Sequence, residues 1–95
     1  MIQTIYKIQL EITGEQIIGL PKGARILSIQ PQGEKVSLWF LFNQDETRSE
    51  PKKIRCFGTG QPIIDAENLD YIGTVQVLCG KLVFHFFIDI TYTGE

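Results

Sequence analysis

The sequence predicts a small all-β domain, an antiparallel sandwich or barrel of about seven strands. Apolar residues recur at period two, most plainly near the C-terminus, where Leu82, Phe84, Phe86, Ile88 and Ile90 fall on one face. Val83, His85, Phe87 and Asp89 fall on the other. Turn residues return roughly every eight to twelve positions, the spacing of short strands in a sandwich or barrel. No window shows a convincing 3.6-residue amphipathic period, and no internal repeat is visible.

The elements follow in order. Over residues 2–10, Ile2, Tyr6, Ile8 and Leu10 lie on one side and Gln3, Lys7 and Gln9 on the other, a strand with one wet face. Thr13-Gly14-Glu15 is a turn. Residues 16–20 form a short second strand ended by Pro21. Leu20-Pro21-Lys22-Gly23 suits a type I turn, with proline presetting φ and glycine in the last position. Residues 24–30 are a third strand, closed by Pro31-Gln32-Gly33.

Residues 36–42, VSLWFLF, are the most apolar run and the predicted central strand. A strand apolar on nearly both faces needs cover from a second sheet or a neighbouring subunit. Residues 43–51 are polar and aperiodic, which predicts an exposed, mobile loop. Lys52 to Phe57 is a fifth strand, and residues 65–69 have room for one helical turn at most. Thr74–Leu78 and Lys81–Ile90 then pair as a hairpin, with Gly80 supplying the positive φ of its turn.

With 95 residues the chain holds a single domain, 1–95, with no room for a second core. A net charge of −2 argues against a protein that coats duplex nucleic acid, though not against a small anionic ligand held locally. Cys56 and Cys79 lack metal-ligand spacing, and with one histidine the chain offers no metal cluster. Two reduced thiols fit a cytoplasmic protein better than a disulfide-stapled secreted one. The N-terminus carries charges too early for a signal peptide, and no apolar run approaches the roughly 20 residues of a membrane helix. No cofactor is implied.

Catalytic signatures are missing: there is no nucleophile elbow, P-loop or HExxH pattern, so the chain is not predicted to be an enzyme. Four of the nine basic residues, Arg48, Lys52, Lys53 and Arg55, lead into Gly58-Thr59-Gly60. Arg55 shares a strand face with Lys53 and Phe57, whereas Ile54 and Cys56 point to the core. A guanidinium beside an aromatic ring, followed by a glycine loop, suits a nucleotide: charge for phosphate, ring for base, backbone N–H groups for an anion. The plainer reading is a charged edge that discourages strand aggregation, followed by an ordinary turn. His85 is read as a half-buried histidine hydrogen-bonded to a neighbour, with ligand or subunit contact as the alternative. Trp39 is read as core, with base stacking or a subunit contact as the alternative.

Residues 20–27 (LPKGARIL), Leu38-Trp39, residues 57–60 (FGTG), residues 71–74 (YIGT) and His85 on a terminal strand carry a resemblance. Together they resemble a family of small phage- and prophage-encoded proteins, over about residues 4 to 88. Members of that family often have tryptophan where this chain has Phe84. The resemblance implies a small phage-associated protein. It extends by analogy to the phage sponges that sequester cyclic nucleotide signals of bacterial anti-phage systems such as CBASS without cleaving them.

On that reading the ligand contacts are Trp39, Lys53, Arg55, Phe57, Gly58, Thr59, Gly60 and His85. The protein is a homo-oligomer in the host cytoplasm, with no membrane or duplex nucleic-acid partner. The alternatives are a protein-binding inhibitor of a host factor and a minor phage structural or assembly protein.

Overall fold

The computed structural model describes residues 1–94. Seven strands are present: β1 (Gln3–Leu10), β2 (Glu15–Pro21), β3 (Arg25–Gln32), β4 (Lys35–Asn43), β5 (Ser49–Gly58), β6 (Leu69–Val77) and β7 (Leu82–Asp89). They form two antiparallel sheets, β1-β4-β3 and β2-β5-β7-β6, packed as a small β-sandwich. Among the described residues the single turn of helix is a 3-10 turn at Ala66–Asn68, inside the stretch read as having room for one at most.

The period-two pattern decides what lies between the sheets. Val36, Leu38, Phe40 and Phe42 of β4 are buried on its inner face, opposite Ile54 and Cys56 of β5, Phe86 of β7 and Val75 of β6. Phe86 is fully buried, worth roughly 1.5–3 kcal/mol on apolar transfer. β4 is central in its sheet, as its composition predicts, with β1 and β3 on either side.

Most strand ends differ from the sequence reading by a residue or two, β3 running on through Pro31 to Gln32, and two strands start well before their predicted positions. β5 begins at Ser49, inside the predicted mobile loop, because residues 49–51 pair with residues 19–21 of β2. Pro51 is tolerated there for a geometric reason. Arg48 O and Cys56 N bond towards the β2 side, so alternation turns the Pro51 nitrogen away from β2. On that other side β7 reaches only Ile54–Gly58, so no donor is needed. β6 starts at Leu69 rather than Thr74 because a bulge between Tyr71 and Gly73 absorbs a residue and lets pairing continue.

The turn after β2 is shifted by one residue. Ala24 N donates to Pro21 O at 3.0 Å, and Gly23, at φ 79°, takes the third position. In the β6–β7 connection Gly80 has positive φ, as predicted, but Leu78 (52°) and Cys79 (56°) also take left-handed conformations. That is an expensive choice for residues with a Cβ.

Candidate functional site

The outer face of the four-stranded sheet gathers most of the residues the sequence singles out. The register aligns Phe57, His85 and Thr74 across β5, β7 and β6. The next row aligns Glu15, Arg55, Phe87 and Tyr71 across all four strands. Ile54 and Cys56 point inward, as alternation requires.

His85 is the hub. Its Nε2 lies 2.7 Å from Thr59 Oγ1, and its Nδ1 lies 2.9 Å from Thr74 Oγ1. Thr74 Oγ1 in turn meets the Tyr71 hydroxyl at 2.6 Å. A neutral imidazole has one donor and one acceptor nitrogen, so this four-residue chain can run with either polarity. Thr59 and His85 stand at nucleophile–base distance. The third member, however, is a neutral hydroxyl, which gives a developing imidazolium no countercharge. Replacing the carboxylate of a serine-protease triad by an amide costs about 10⁴-fold in rate.

Thr59 opens a tight turn. Gln61 N donates to Gly58 O at 3.1 Å, and Gln61 Oε1 accepts from Gly58 N at 3.0 Å. Gly60 has φ 89°, which explains the glycine. Further along the same segment, Asp65 Oδ2 accepts from Arg55 Nη1 at 3.0 Å. The segment is thus clipped to β7 through Thr59 and to β5 through Asp65. Phe57, on the sheet face between those clips, is only 5% exposed. It meets Phe87 edge-on at 5.8 Å, and the Arg55 guanidinium lies 5.1 Å from its ring centre.

These contacts alter three of the expected roles. Phe57 is structural here, since a ring this buried offers no platform for a base. Arg55 is committed to Asp65, and a phosphate would have to displace that carboxylate. Lys53 is paired with Glu15 at 2.9 Å and lies 5.1 Å from the Tyr92 ring centre. Trp39 does not join the group at all. It is half-buried on the outer face of the other sheet, beside Lys7 and a cavity of about 260 Å³ lined by Ile5, Leu27, Ser28 and Gln30.

Gly58 and Thr59 do border open space. A cavity of about 450 Å³ is lined by Gly58, Thr59, Lys81, Leu82, Val83 and Phe84. A second, of about 270 Å³, is lined by residues of the β1–β2 turn with Cys56, Gly58, Gln61 and Phe84. Gly58 and Phe84 belong to both, so the two adjoin across the end of β5. Lys81 and Phe84 are the contributors that sequence reasoning missed. The signal for Lys81 was its position beside the Gly80 turn, which swings it towards the 58–60 loop. The Cys56 thiol is pushed up to about 11 by burial, so it stays protonated beneath the smaller cavity.

Among the described residues no group of three or more His, Cys, Asp and Glu is placed to hold a metal ion. No helix among them is long and apolar enough to cross a membrane.

Comparison with known proteins adds the family. A family model described as a domain of unknown function, DUF7352, matches residues 1–92, and the chain belongs to that family. No curated protein and no solved structure matches it.

Proposed function

We propose that this DUF7352 protein is a holding protein. It captures a small anionic ligand of the cyclic nucleotide class in the trough beside Gly58-Thr59-Gly60 and releases it unchanged. The observation that carries this reading is the meeting of Thr59, Lys81 and Phe84 around one cavity of about 450 Å³. That volume lies within the roughly 300–1,000 Å³ usual for small-molecule sites. Lys81, which forms no ion pair among the described residues, takes the phosphate role first assigned to Arg55. Phe84 offers a half-buried ring, and Thr59 a hydroxyl oriented by His85. The resemblance to phage and prophage proteins supplies the setting: sequestration, in the host cytoplasm, of a signal used by bacterial anti-phage defence.

The decisive experiment is thermal-shift screening with cyclic di- and trinucleotides and cyclic ADP-ribose isomers, followed by heat release and mass analysis of any bound ligand. A rise in melting temperature and an intact ligand are expected. No shift across the panel rejects the reading, and a chemically altered ligand replaces it with an enzyme.

A second reading, an inhibitor that docks on a host protein, draws on the other sheet. Its outer face exposes Ile5 and Leu27 around Trp39. Its strands β1, β3 and β4 carry Lys7, Arg25 and Lys35 and no carboxylate. Affinity capture from bacterial lysate by ligand-free protein, lost on Trp39→Ala, tests it.

A further inference from the structure

The sandwich has four edge strands, and three of them are interrupted. β2 contains Gly19 and ends in Pro21, β3 has a bulge between Ile26 and Ser28 and contains Pro31, and β6 has the bulge at Tyr71–Gly73. Such interruptions keep an edge from adding a foreign strand. β1 has none of them: Gln3–Leu10 pairs with residues 43–36 of β4 in unbroken register, without proline, glycine or bulge.

Its open side is a hydrogen-bonding edge. Gln44 N donates to Ile2 O, so Ile2 and, by antiparallel alternation, Thr4, Tyr6, Ile8 and Leu10 bond towards β4. The N–H and C=O groups of Gln3, Ile5, Lys7 and Gln9 therefore point away from the sheet. The side chains along this edge are apolar on both faces and open to solvent: Ile2 is 63% exposed, Ile5 55% and Tyr6 61%. Tyr6 belongs to the inner face and touches Phe42 at 5.2 Å between ring centres, yet nothing among the described residues covers its other side.

We infer that β1 is a self-association edge, on which a second copy of the chain pairs its own β1 antiparallel about a two-fold axis at Tyr6. The strand is complementary to itself in that register. Ile5 faces Lys7 of the second copy, Gln3 faces Gln9, Thr4 faces Ile8, and the two Tyr6 rings meet on the inner face. Lys7 carries the strand's only charge, its ammonium leans back across β4 to Gln32 Oε1 at 2.6 Å, and this register sets an apolar neighbour beside it rather than a second charge. A Lys7-centred register would oppose the two ammonium groups directly. An Ile5-centred one would leave Gln9 and Leu10 beyond the overlap. The product is a continuous sheet β3-β4-β1-β1-β4-β3, which brings the two Trp39 faces onto one side of a dimer. The inference stands independently of the ligand proposed above.

Sedimentation equilibrium and native mass spectrometry across a concentration series test it, with a dimer of the 10.8 kDa chain expected. Ile5→Lys sets like charges side by side and is expected to weaken association at least tenfold, whereas Ile5→Glu, facing Lys7, preserves or tightens it. Both substitutions fall at one exposed position, so the fold is retained, and circular dichroism of each variant checks that. In a Cys56→Ser, Cys79→Ser background, Tyr6→Cys is expected to give a disulfide-linked dimer on mild oxidation, because a non-hydrogen-bonded pair brings Cα atoms to about 4.5 Å. Ile8→Cys is not. A chain that stays monomeric at high concentration, a dimer indifferent to both charge variants, or a complex formed only with a different protein's strand overturns the inference.

Discussion

Gly73 of β6 lies against Ile29 of β3, and a Cβ built on the glycine would overlap the Ile29 Cγ2 methyl. Among the described residues β3 and β6 are the strands of opposite sheets in most extensive contact. Ile29 is buried, so the methyl has nowhere to go. Gly73→Ala is expected to cost about 1–3 kcal/mol by overpacking, seen as a lower urea midpoint with an unchanged m-value. Adding Ile29→Ala removes the overlapping methyl, so the double variant should lose less than the sum of the two single changes.

Arg55→Ala tests a role that the strand pattern alone misassigns. Alternation suggests an exposed guanidinium whose loss would weaken ligand binding and spare the fold. In the structure it ties down Asp65, whose other carboxylate oxygen, Oδ1, is buried with no hydrogen-bond partner among the described residues. The side chains of the pair are 21% and 32% exposed, between surface and core. Arg55→Ala should therefore destabilise by about 1–2 kcal/mol, more than a surface pair and less than a buried one. Asp65→Asn, which keeps an acceptor for the guanidinium, should cost less. Equal and negligible losses by chemical denaturation would refute the clip.

The contrast between these two positions shows what the chain makes legible. Strand identity and facing were readable because each strand buries one side, so Leu38, Ile54 and Phe86 declare themselves at period two. The Gly73 contact was not, because nothing local says which distant side chain a glycine must admit. The burial of Phe57 was hidden for a related reason. It depends on a segment without periodicity, held by Thr59 and Asp65 against partners on two strands. For the same reason Trp39 was grouped with Arg55, although the two strands that carry them lie in different sheets.

Glu46 provides a pH test. Its carboxylate accepts from Arg48 Nε, Nη2 and backbone N, and these bonds, the side-chain ones first, lower its pKa from 4.5 to about 2. A depressed acid stabilises the fold above its unfolded pKa, and that contribution disappears as pH falls from about 4.5 towards 2. Carboxyl carbon NMR should place the Glu46 midpoint near 2. Arg48→Ala keeps the backbone donor and removes the guanidinium, and so should move the midpoint most of the way back. A midpoint unmoved by that substitution would show that the guanidinium is not the cause.

The two thiols should behave differently. Cys56 is buried, with its pKa pushed to about 11, whereas Cys79 is exposed in the β6–β7 turn. Under native conditions iodoacetamide should modify Cys79 and leave Cys56 untouched until denaturant is added, as read by peptide mass mapping. The unfolded Cys56 thiol ionises near 9.0 while the folded one does not, so its contribution to stability falls as pH rises from about 9 to about 11. Early labelling of Cys56 would mean that the core at β5 opens locally.

Thr59 joins the loop to the trough, and its removal separates two effects. Thr59→Val keeps the shape and deletes the hydroxyl that meets His85 Nε2 at 2.7 Å. Loss of one hydrogen bond at a solvent-accessible site should cost about 0.5–1.5 kcal/mol of local stability. Amide exchange at residues 58–61 should then quicken, while residues 36–42 in the centre of β4 keep their protection. Lys81→Ala should leave that exchange pattern untouched, because Lys81 takes part in no side-chain contact that holds the loop, and should lower affinity for an anionic ligand by about tenfold or more. A ligand that binds both variants as tightly as the parent chain does not lie in this trough.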